Sequence, residues 1–241
     1  MVFQHRSSKA LPLRYYLYIS DSKLDMLFEQ IDLKSRKRIS AELKIDLKVA
    51  SLTLRGAENP GPTRTAKLQL VEQFIETHQH VGTIQEPGKG YFRGQMRMTW
   101  DWAGWNHDGV WFQGNDYDPG HLPQCIGLGG SRYHVLGEAR PTGAPSGTGW
   151  PAIREILEER GFQNDPALVK SVFDGDLPEQ WFNGLYWGPE YDRWTHLHGK
   201  LLSLEFLAIP LAETQVRVTG HGVLERLVHV VIGTPLYVAK V

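Results

Sequence analysis

A chain of 241 residues can form one large domain or two small ones, and its formal net charge is −1. The near balance of 26 basic and 27 acidic residues argues against the broad positive surface of a nucleic-acid-binding protein. A single cysteine excludes an intrachain disulfide framework and a cysteine-rich zinc site. No apolar run approaches the ~20 residues of a membrane helix, so we expect a cytoplasmic globular protein.

The N-terminal part of the chain predicts an arm, a strand and a helix. Residues 1–13 are predicted to form a flexible arm. The aromatic and β-branched run Arg14–Ser20 predicts the first strand. Ser22 and Asp25 have the spacing of a capping box, which predicts a helix directly afterwards. One face of that helix carries the apolar residues Leu24, Leu27, Phe28 and Ile31.

A basic stretch and an alternating stretch follow this helix. Residues 34–38 predict a basic turn. Alternation of apolar and charged residues over 42–54 favours a strand, and its change of phase predicts a bulge near Ala50 and Ser51. A helix over the same residues is the alternative, because some of the apolar positions also fit a period near 3.6.

A second helix is predicted after the turn-rich connector Gly56–Thr65. It should run over residues 66–80. Its spacing predicts that one side is buried, and this side carries Leu68, Val71, Phe74, Ile75 and His78.

The centre of the chain, Tyr91–Gly137, predicts an antiparallel meander of three strands. Phe92–Trp100 has apolar or small residues at even positions and polar residues at most odd positions, which is typical of a strand with one buried face. Val110–Phe112 and Cys125–Leu128 predict the two strands that follow. Loops rich in Gly, Asp and Trp separate the three runs.

The next third of the chain is divided by Pro and Gly residues. Glu138–Gly149 is rich in Pro, Gly, Ser and Thr, which predicts a flexible linker. Short helices are predicted to begin at Pro151 and Pro166, since proline is well accommodated in a first helical turn. Gly199–Pro210 predicts another helix, with the proline ending it.

The C-terminus predicts two strand segments separated by a Gly-Thr-Pro turn. They are His229–Ile232 and Leu236–Val241. We expect the last segment to pair with the first strand, which would join the two ends of the chain and close the sheet.

Four segments resemble an uncharacterised bacterial, mainly actinobacterial, protein family. They are the opening RYYLYISDSKLDML, an FRGxMxMxW strand at Phe92–Trp100, GLGGSxxHVLG at Gly127–Gly137, and GTPLYVA at Gly233–Ala239. The resemblance covers nearly the whole chain, so it implies a single domain over residues 14–241. It implies no established activity or catalytic residue, and it associates the chain with bacterial signalling or conflict loci.

We predict an α+β fold: a mixed, mostly antiparallel sheet with helices packed mainly on one face. The candidate ligand site is the glycine-rich segment near residue 130, since glycines let backbone N–H groups approach an anion. This segment is neither a P-loop nor a dinucleotide fingerprint, and a bulge or close packing would explain the same glycines. The predicted ligand-binding residues are Gly129, Gly130, Ser131, Arg132 and His134, with Arg93 and Arg97 as further contacts.

Arg93 and Arg97 share one face of their strand and could form an anion-binding floor. The alternative is a solvated face, or one covered by a helix through ion pairs. A third site is possible at Asp21, Ser22 and Lys23, because ligands often bind where a strand turns into a helix. Helix capping accounts for the first two of these residues equally well.

Two alternatives to anion binding are a catalytic site and a metal site, and both are built from serine, histidine and carboxylate side chains. Ser131 and His134 could be a nucleophile and its base, with Asp21, Asp101 or Asp108 as the third member. No GxSxG elbow surrounds Ser131. His196 and His198 could share a metal ion if they lie on a strand, with His121, His134, His221 or a carboxylate completing the site. We nevertheless predict no bound metal and no cofactor.

Two groups of tryptophans are either aromatic core or surfaces that stack on sugars or bases. They are Trp100, Trp102, Trp105 and Trp111, and Trp181, Trp187 and Trp194. Because no catalytic set is assembled in the sequence, we expect a non-catalytic ligand-sensing or protein-interaction module of a bacterial signalling or defence system. Its partner would be an anionic, nucleotide-like small molecule or another protein. A hydrolase or nucleotide-processing enzyme using Ser131 and His134 is the alternative, and a histidine-based metal-binding protein is the third.

Overall fold

The computed structural model describes residues 14–43, 62–103, 109–116, 122, 124–137, 201–220 and 223–241. Within these residues it contains three α-helices, α1 (Asp21–Gln30), α2 (Leu33–Glu42) and α3 (Arg64–His78). Its seven strands are β1 (Tyr15–Ile19), β2 (Val81–Gly82), β3 (Tyr91–Ala103), β4 (Gly109–Asp116), β5 (Gln124–Ser131), β6 (Leu202–Gly220) and β7 (Val223–Lys240). A single 3-10 turn, Arg132–His134, follows β5.

Several predictions concern parts of the chain outside these residues. They are the arm at 1–13, the bulge near Ala50 and Ser51, the linker at 138–149, the two short helices after it, and the histidines His196 and His198.

Five of the strands pair in a closed ring, so the sheet forms a small barrel. The order around the ring is β3, β4, β5, β7, β6 and back to β3. β1 and β2 pair with β7 and β3 outside this ring. Among the described strands, pairing is parallel only between β5 and β7 and between β2 and β3. The predicted mixed, mostly antiparallel α+β fold is therefore confirmed.

The two ends of the described chain meet, as the sequence predicted. β1 runs antiparallel to the end of β7, with Tyr15 opposite Lys240 and Ile19 opposite Tyr237. This pairing does not close the sheet, which corrects the second part of that prediction: β1 lies outside the ring, and β6 closes it by pairing with both β3 and β7. Because small barrels enclose a space that side chains can fill, each strand of the ring presents an apolar face inwards.

Alternating residues of β3 build the interior of this barrel. Phe92, Met96 and Met98 are buried, whereas Gln95 and Arg97 are exposed on the opposite face. The same alternation on the other strands completes one apolar cluster with Val110, Phe112, Ile126, Leu128, Leu204, Phe206, Ala208, Val231 and Val238. A fully buried side chain of this size contributes roughly 1.5–3 kcal/mol, so this cluster stabilises the ring closure.

The helices pack on the outside of the barrel, where they cover β1 and the end of β7. A second apolar cluster joins sheet and helices; its members are Ile19, Leu207, Leu236, Tyr237 and Ala239 with Leu24, Ile31, Ile39, Leu68, Leu70, Val71 and Ile75. The predicted packing of helices on one face is confirmed, and so is the burial of Leu68, Val71 and Ile75 on α3. His78, predicted on the same side, is exposed at the C-terminal end of α3.

Three predictions near the N-terminus were wrong. The basic turn at 34–38 belongs to α2, because the Asp32 carboxylate accepts hydrogen bonds from the Lys34 and Ser35 N–H groups and caps a new helix. Glu42 therefore ends α2 and does not begin a strand. The capping box was also misplaced, since α1 begins at Asp21 and contains both Ser22 and Asp25.

Of the predicted helix Gly199–Pro210, the residues from Leu202 onwards belong instead to β6, which begins there. Leu204, Phe206 and Ala208 face the barrel interior, while Leu207 packs against the outer helices. Because both faces of this part of β6 are buried, its residues form a nearly continuous apolar run instead of an alternating one. Such a run does not distinguish a helix from a strand. Pro210 is accommodated because the register shifts beside it.

The C-terminal strand is continuous and does not divide into two segments. β7 includes the predicted Gly-Thr-Pro turn, and Gly233 and Thr234 pair with Pro210 and Ile209 of β6. A shift in register near Ala208 and Pro235 absorbs the irregularity. The same edge of β7 then serves two partners in succession, β5 over 229–233 and β1 over 237–240.

Candidate functional site

The candidate site lies where this edge of β7 changes partner. Pairing with β5 ends at Leu128 and Gly233, and beyond it the Ser20 N–H donates to the Leu236 carbonyl oxygen at 2.9 Å. After the 3-10 turn, the Leu136 N–H donates to the Leu17 carbonyl oxygen at 2.8 Å. The turn after β5 and the start of α1, more than a hundred residues apart, are thus neighbours. We call this region the junction site; its residues are Ser20, Asp21, Ser22, Lys23, Arg64, Ser131 and His134.

His134 connects the 3-10 turn to the first turn of α1. Its Nδ1 accepts a hydrogen bond from the Asp21 N–H at 3.3 Å, and its Nε2 lies 3.3 Å from Ser22 Oγ. An acceptor Nδ1 places the proton of a neutral imidazole on Nε2, so Nε2 donates to Ser22. The Ser20 side chain makes no cap hydrogen bond, and His134 therefore satisfies the first free N–H of α1 in its place.

Lys23 is a lysine that folding buries. Its side chain and backbone together are 9% exposed. The Nζ atom lies 3.4 Å from Ser20 Oγ and 3.3 Å from the Pro235 carbonyl oxygen. Neither partner is charged, and among the described residues no carboxylate pairs with it. Burial lowers the pKa of Lys23 to about 8. Sequence reasoning placed Lys23 at a candidate turn but did not include it among the ligand-binding residues.

Asp21 carries the negative charge of the junction site. Its carboxylate forms an ion pair with Arg64 at the start of α3, and Oδ2 lies 3.8 Å from His134 Nδ1. Lys67 and Asp25 form a second pair between the same helices at 2.6 Å. Among the described residues of the junction site, Lys23 and Arg64 thus carry two positive charges against the one carboxylate of Asp21.

The glycines of β5 are explained by close packing. A Cβ atom on Gly130 would lie 2.6 Å from Tyr18 Cζ, and one on Gly127 would lie 2.6 Å from Trp111 Cη2. The eight residue pairs of β4 and β5 run without a break in register, so no bulge is present here. Gly127 and Gly130 therefore leave space for aromatic rings of the protein, and Gly129 lies buried between them.

Ser131 and His134 do not form a nucleophile and base pair. The Ser131 hydroxyl is buried and has no hydrogen-bond partner among the described residues, and the residue is only 4% exposed. Both ring nitrogens of His134 are engaged by α1 instead. The buried hydroxyls of Tyr18 and Thr234 likewise have no well-formed hydrogen bond within the described part of the chain.

Arg132 and Arg93 lie in different places and have different partners. The Arg132 guanidinium carbon is 4.3 Å from the centre of the Trp102 ring, at the end of β3. Arg93 is nine residues from Trp102 along that strand, or roughly 30 Å. It pairs with Glu72 and Glu76 of α3, at 2.6 Å in each case. The face that carries Arg93 is thus covered by a helix through ion pairs, which was the alternative to an anion-binding floor.

Arg97, on the same strand face as Arg93, is exposed. Neither arginine is brought to Arg132 or His134, so the structure does not unite the two parts of the predicted ligand set. Ser131, Arg132 and His134 do remain adjacent, at the end of β5 and in the turn.

The first tryptophan group belongs largely to the protein interior. Trp111 is buried against Gly127, and its Nε1–H donates to Gln113 Oε1 at 3.1 Å. Trp100 and Trp102 are half-buried, pack on the barrel core and meet edge to face. This arrangement fits the aromatic-core alternative for these three residues. Trp105, Trp181, Trp187 and Trp194 lie outside the described residues.

The described residues show no group of three His, Cys, Asp or Glu side chains that could hold a metal ion. His121, His196, His198 and His221 are not among these residues. Cys125 is buried in β5, and burial raises the pKa of its thiol, which disfavours the reactive thiolate. None of the described helices is long and apolar enough to cross a membrane.

Comparison with known proteins gives one match. The model of a family described as a family of unknown function, DUF7019, matches residues 14–241. No curated protein and no solved structure matches the chain. The match extends from the residue before β1 to the residue after β7, and it includes the whole junction site. The chain therefore belongs to the DUF7019 family of unknown function.

Proposed function

We propose that this chain is a ligand-sensing or protein-interaction module of a bacterial signalling or defence system in the cytoplasm, and that it binds a small anionic ligand at the junction site. The observation that carries the proposal is the buried Lys23 ammonium, held by two uncharged oxygen atoms. The roles in signalling and defence rest on the sequence resemblance.

Burial of an ammonium group without a counter-charge costs free energy, because the group loses its hydration. Its pKa is lowered to about 8 for this reason. An anion bound beside Lys23 would supply the missing negative charge. It would also favour the charged form of the lysine, so that binding and protonation strengthen each other.

The surroundings of Lys23 suit an anion better than a cation. Lys23 lies in the first turn of α1, where free N–H groups and the helix dipole favour negative charge. Ser22 is exposed, and because His134 donates to its oxygen its own hydroxyl hydrogen is available to a ligand. Arg132, in the same turn as His134, and Arg64 supply further positive charge near this site.

The geometry supports binding better than catalysis. A serine nucleophile needs a base that accepts its proton. With Nδ1 occupied by the Asp21 N–H, a neutral His134 presents a donor to Ser22 rather than an acceptor. We therefore propose a binding role for Ser22, Ser131 and His134 and no hydrolytic one.

Calorimetry with phosphate, sulfate, acetate and a nucleoside monophosphate tests this proposal. Wild type should bind at least one of them at pH 7, and Lys23→Met should bind it roughly 10- to 100-fold more weakly, since charge-assisted contacts contribute about 1.5–3 kcal/mol each. Lys67→Met is the matched control, because Lys67 is a nearby lysine on α3 paired with Asp25. Equal affinity of wild type and Lys23→Met, or no binding of any anion, would contradict the proposal.

A further inference from the structure

His134 has two alternative partners on one residue of α1. The Asp21 N–H lies 3.3 Å from His134 Nδ1, and the Asp21 carboxylate oxygen Oδ2 lies 3.8 Å from the same atom. The first contact has hydrogen-bond geometry, and the second is within ion-pair range. Asp21 is 113 residues away in sequence, so both contacts join the end of β5 to the start of α1.

These two contacts require opposite states of Nδ1. To accept from the Asp21 N–H, Nδ1 must carry a lone pair, which the neutral ring provides. In the protonated ring both nitrogens are donors. Nδ1–H would then oppose the Asp21 N–H, and the Asp21 carboxylate would become the favourable partner.

We propose that His134 is a pH-sensitive latch between the barrel and helix α1. In its neutral state it caps the first N–H of α1. On protonation the cap is lost, and the Asp21 carboxylate turns from Arg64 towards the imidazolium. The ion pair between Asp21 of α1 and Arg64 of α3 is then weakened along with the cap. Histidine side chains ordinarily change charge between pH 5 and 8, so the latch would operate in that range.

Groups on three neighbouring elements oppose or favour the charged state of His134. On α1, Lys23 and the positive helix end oppose it, whereas Asp21 favours it. On α3, Arg64 competes for the Asp21 carboxylate. On β1, Tyr18 meets the imidazole edge to face, with ring centres 5.9 Å apart. Its own turn adds Arg132, which lies over Trp102. Because some of these groups favour protonation of His134 and others oppose it, the neutral and the protonated states can both be populated.

The latch needs no ligand, so it can be tested on the free protein. NMR titration of the full chain from pH 8 to pH 5 would follow the His134 ring signals and the Asp21 amide, while hydrogen exchange would follow the first turn of α1. In wild type the Asp21 amide should change with the same midpoint as the His134 ring. The protection factor of the amides in the first turn of α1, which corrects for the pH dependence of intrinsic exchange, should fall roughly fivefold once the cap is lost.

Two variants separate the latch from a merely structural contact. His134→Gln retains an acceptor for the Asp21 N–H but cannot titrate, so its Asp21 amide should lose the transition that follows the His134 ring in wild type. Asp21→Asn removes the carboxylate partner, so the midpoint of the His134 ring titration should move to lower pH. His78→Gln, at an exposed histidine bonded within α3, should leave the wild-type profile unchanged.

A wild-type Asp21 amide that does not respond to pH would overturn the latch. So would the same transition in His134→Gln, or an unchanged ring midpoint in Asp21→Asn. Phosphate is absent throughout, so failure here leaves the anion-binding proposal standing. Conversely, a protein that binds no anion can still show the latch.

Discussion

Tyr18 of β1 occupies the space that a side chain at Gly130 of β5 would need. A Cβ atom on Gly130 would lie 2.9 Å from Tyr18 Cε2 and closer still to the hydroxyl group. Tyr18 is completely buried and packs edge to face on Phe112, so it has little freedom to move away. We expect Gly130→Ala to lower the free energy of unfolding by about 1–3 kcal/mol, as overpacking does.

Urea unfolding measures this effect, and Gly90→Ala is its control. A Cβ atom on Gly90 would meet nothing closer than the His80 carbonyl oxygen at 3.9 Å, which is an ordinary contact. Its unfolding free energy should stay within about 0.5 kcal/mol of wild type. If the two alanine variants were equally stable, the Tyr18 ring would not be the reason that position 130 requires a glycine.

Glu72 of α3 should be the most sensitive charged residue of the described chain. Its carboxylate accepts from Arg14 at 2.8 Å, from Arg93 at 2.6 Å and from the Tyr237 hydroxyl at 3.1 Å. Glu72 is only 7% exposed, so Glu72→Gln removes a buried charge that two arginines share. Arg14 keeps its pair with Glu205, and Arg93 keeps its pair with Glu76. We expect a loss of about 1–3 kcal/mol in the free energy of unfolding.

The comparison for Glu72 is Glu76→Gln, one helical turn further along α3. Among the described residues the Glu76 side chain pairs with Arg93 alone, and it is 37% exposed. Solvent screens such a pair, so its loss should cost no more than about 1 kcal/mol. Chemical denaturation of both variants measures these losses in unfolding free energy. Similar losses would mean that the buried Glu72 network stabilises the protein no more than an ordinary surface ion pair does.

Lys23 should make stability rise with pH above about 8. Burial lowers its pKa from 10.5 to about 8 in the folded state, so between these values the unfolded state binds more protons. Stability therefore increases as pH rises through this window and is unaffected below it. Lys23→Met lacks the buried charge and should be more stable than wild type at pH 7, by up to about 3 kcal/mol.

Unfolding curves at pH 7, 8, 9 and 10, without phosphate or sulfate, measure this difference. The difference should shrink as the pH approaches 10, because Lys23 of the folded wild type then loses its proton and with it the cost of burying a charge. Contributions from groups common to both proteins cancel. Lys67→Met, at a lysine paired with Asp25, should differ from wild type by the same amount at every pH. A constant difference between wild type and Lys23→Met would show that the ammonium is not desolvated.

Arg132 should contribute to stability through Trp102. Its guanidinium lies over the indole ring at 4.3 Å, and both residues are half-buried. Arg132→Ala should cost about 1 kcal/mol of unfolding free energy and shift the tryptophan emission, whereas Arg97→Ala, at an exposed position, should do neither. An unchanged emission spectrum in Arg132→Ala would contradict the stacked arrangement.

Local periodicity was enough to predict β3 and α3, and short apolar runs predicted β4 and β5. Phe92, Met96 and Met98 recur at every second position because one face of β3 is buried and the other is not. Leu68, Val71 and Ile75 recur at helical spacing for the same reason. A pattern of this kind is written in consecutive residues, so it can be recognised without knowing which element lies opposite.

The same argument explains the elements that sequence reasoning missed. In β6, Phe206 faces the barrel while Leu207 faces the helices, and burial on both sides removes the period of two. In α2, only Ile39 and Ser40 are buried, so there is hardly any apolar pattern to follow. Pairing with β3 and β7 makes β6 a strand, and the Asp32 cap starts the helix α2.

The junction site depends on tertiary structure more than β6 or α2 does, because its residues come from distant parts of the chain. The sequence by itself singled out the turn near His134 and the turn near Asp21, because each carries chemically versatile residues at the end of a strand. Only the change of partner along β7 brings them together, across 113 residues of chain. Burial of Lys23 and the choice of His134 between two partners follow from that contact, since desolvation and hydrogen-bond geometry depend on what lies nearby in space rather than in sequence.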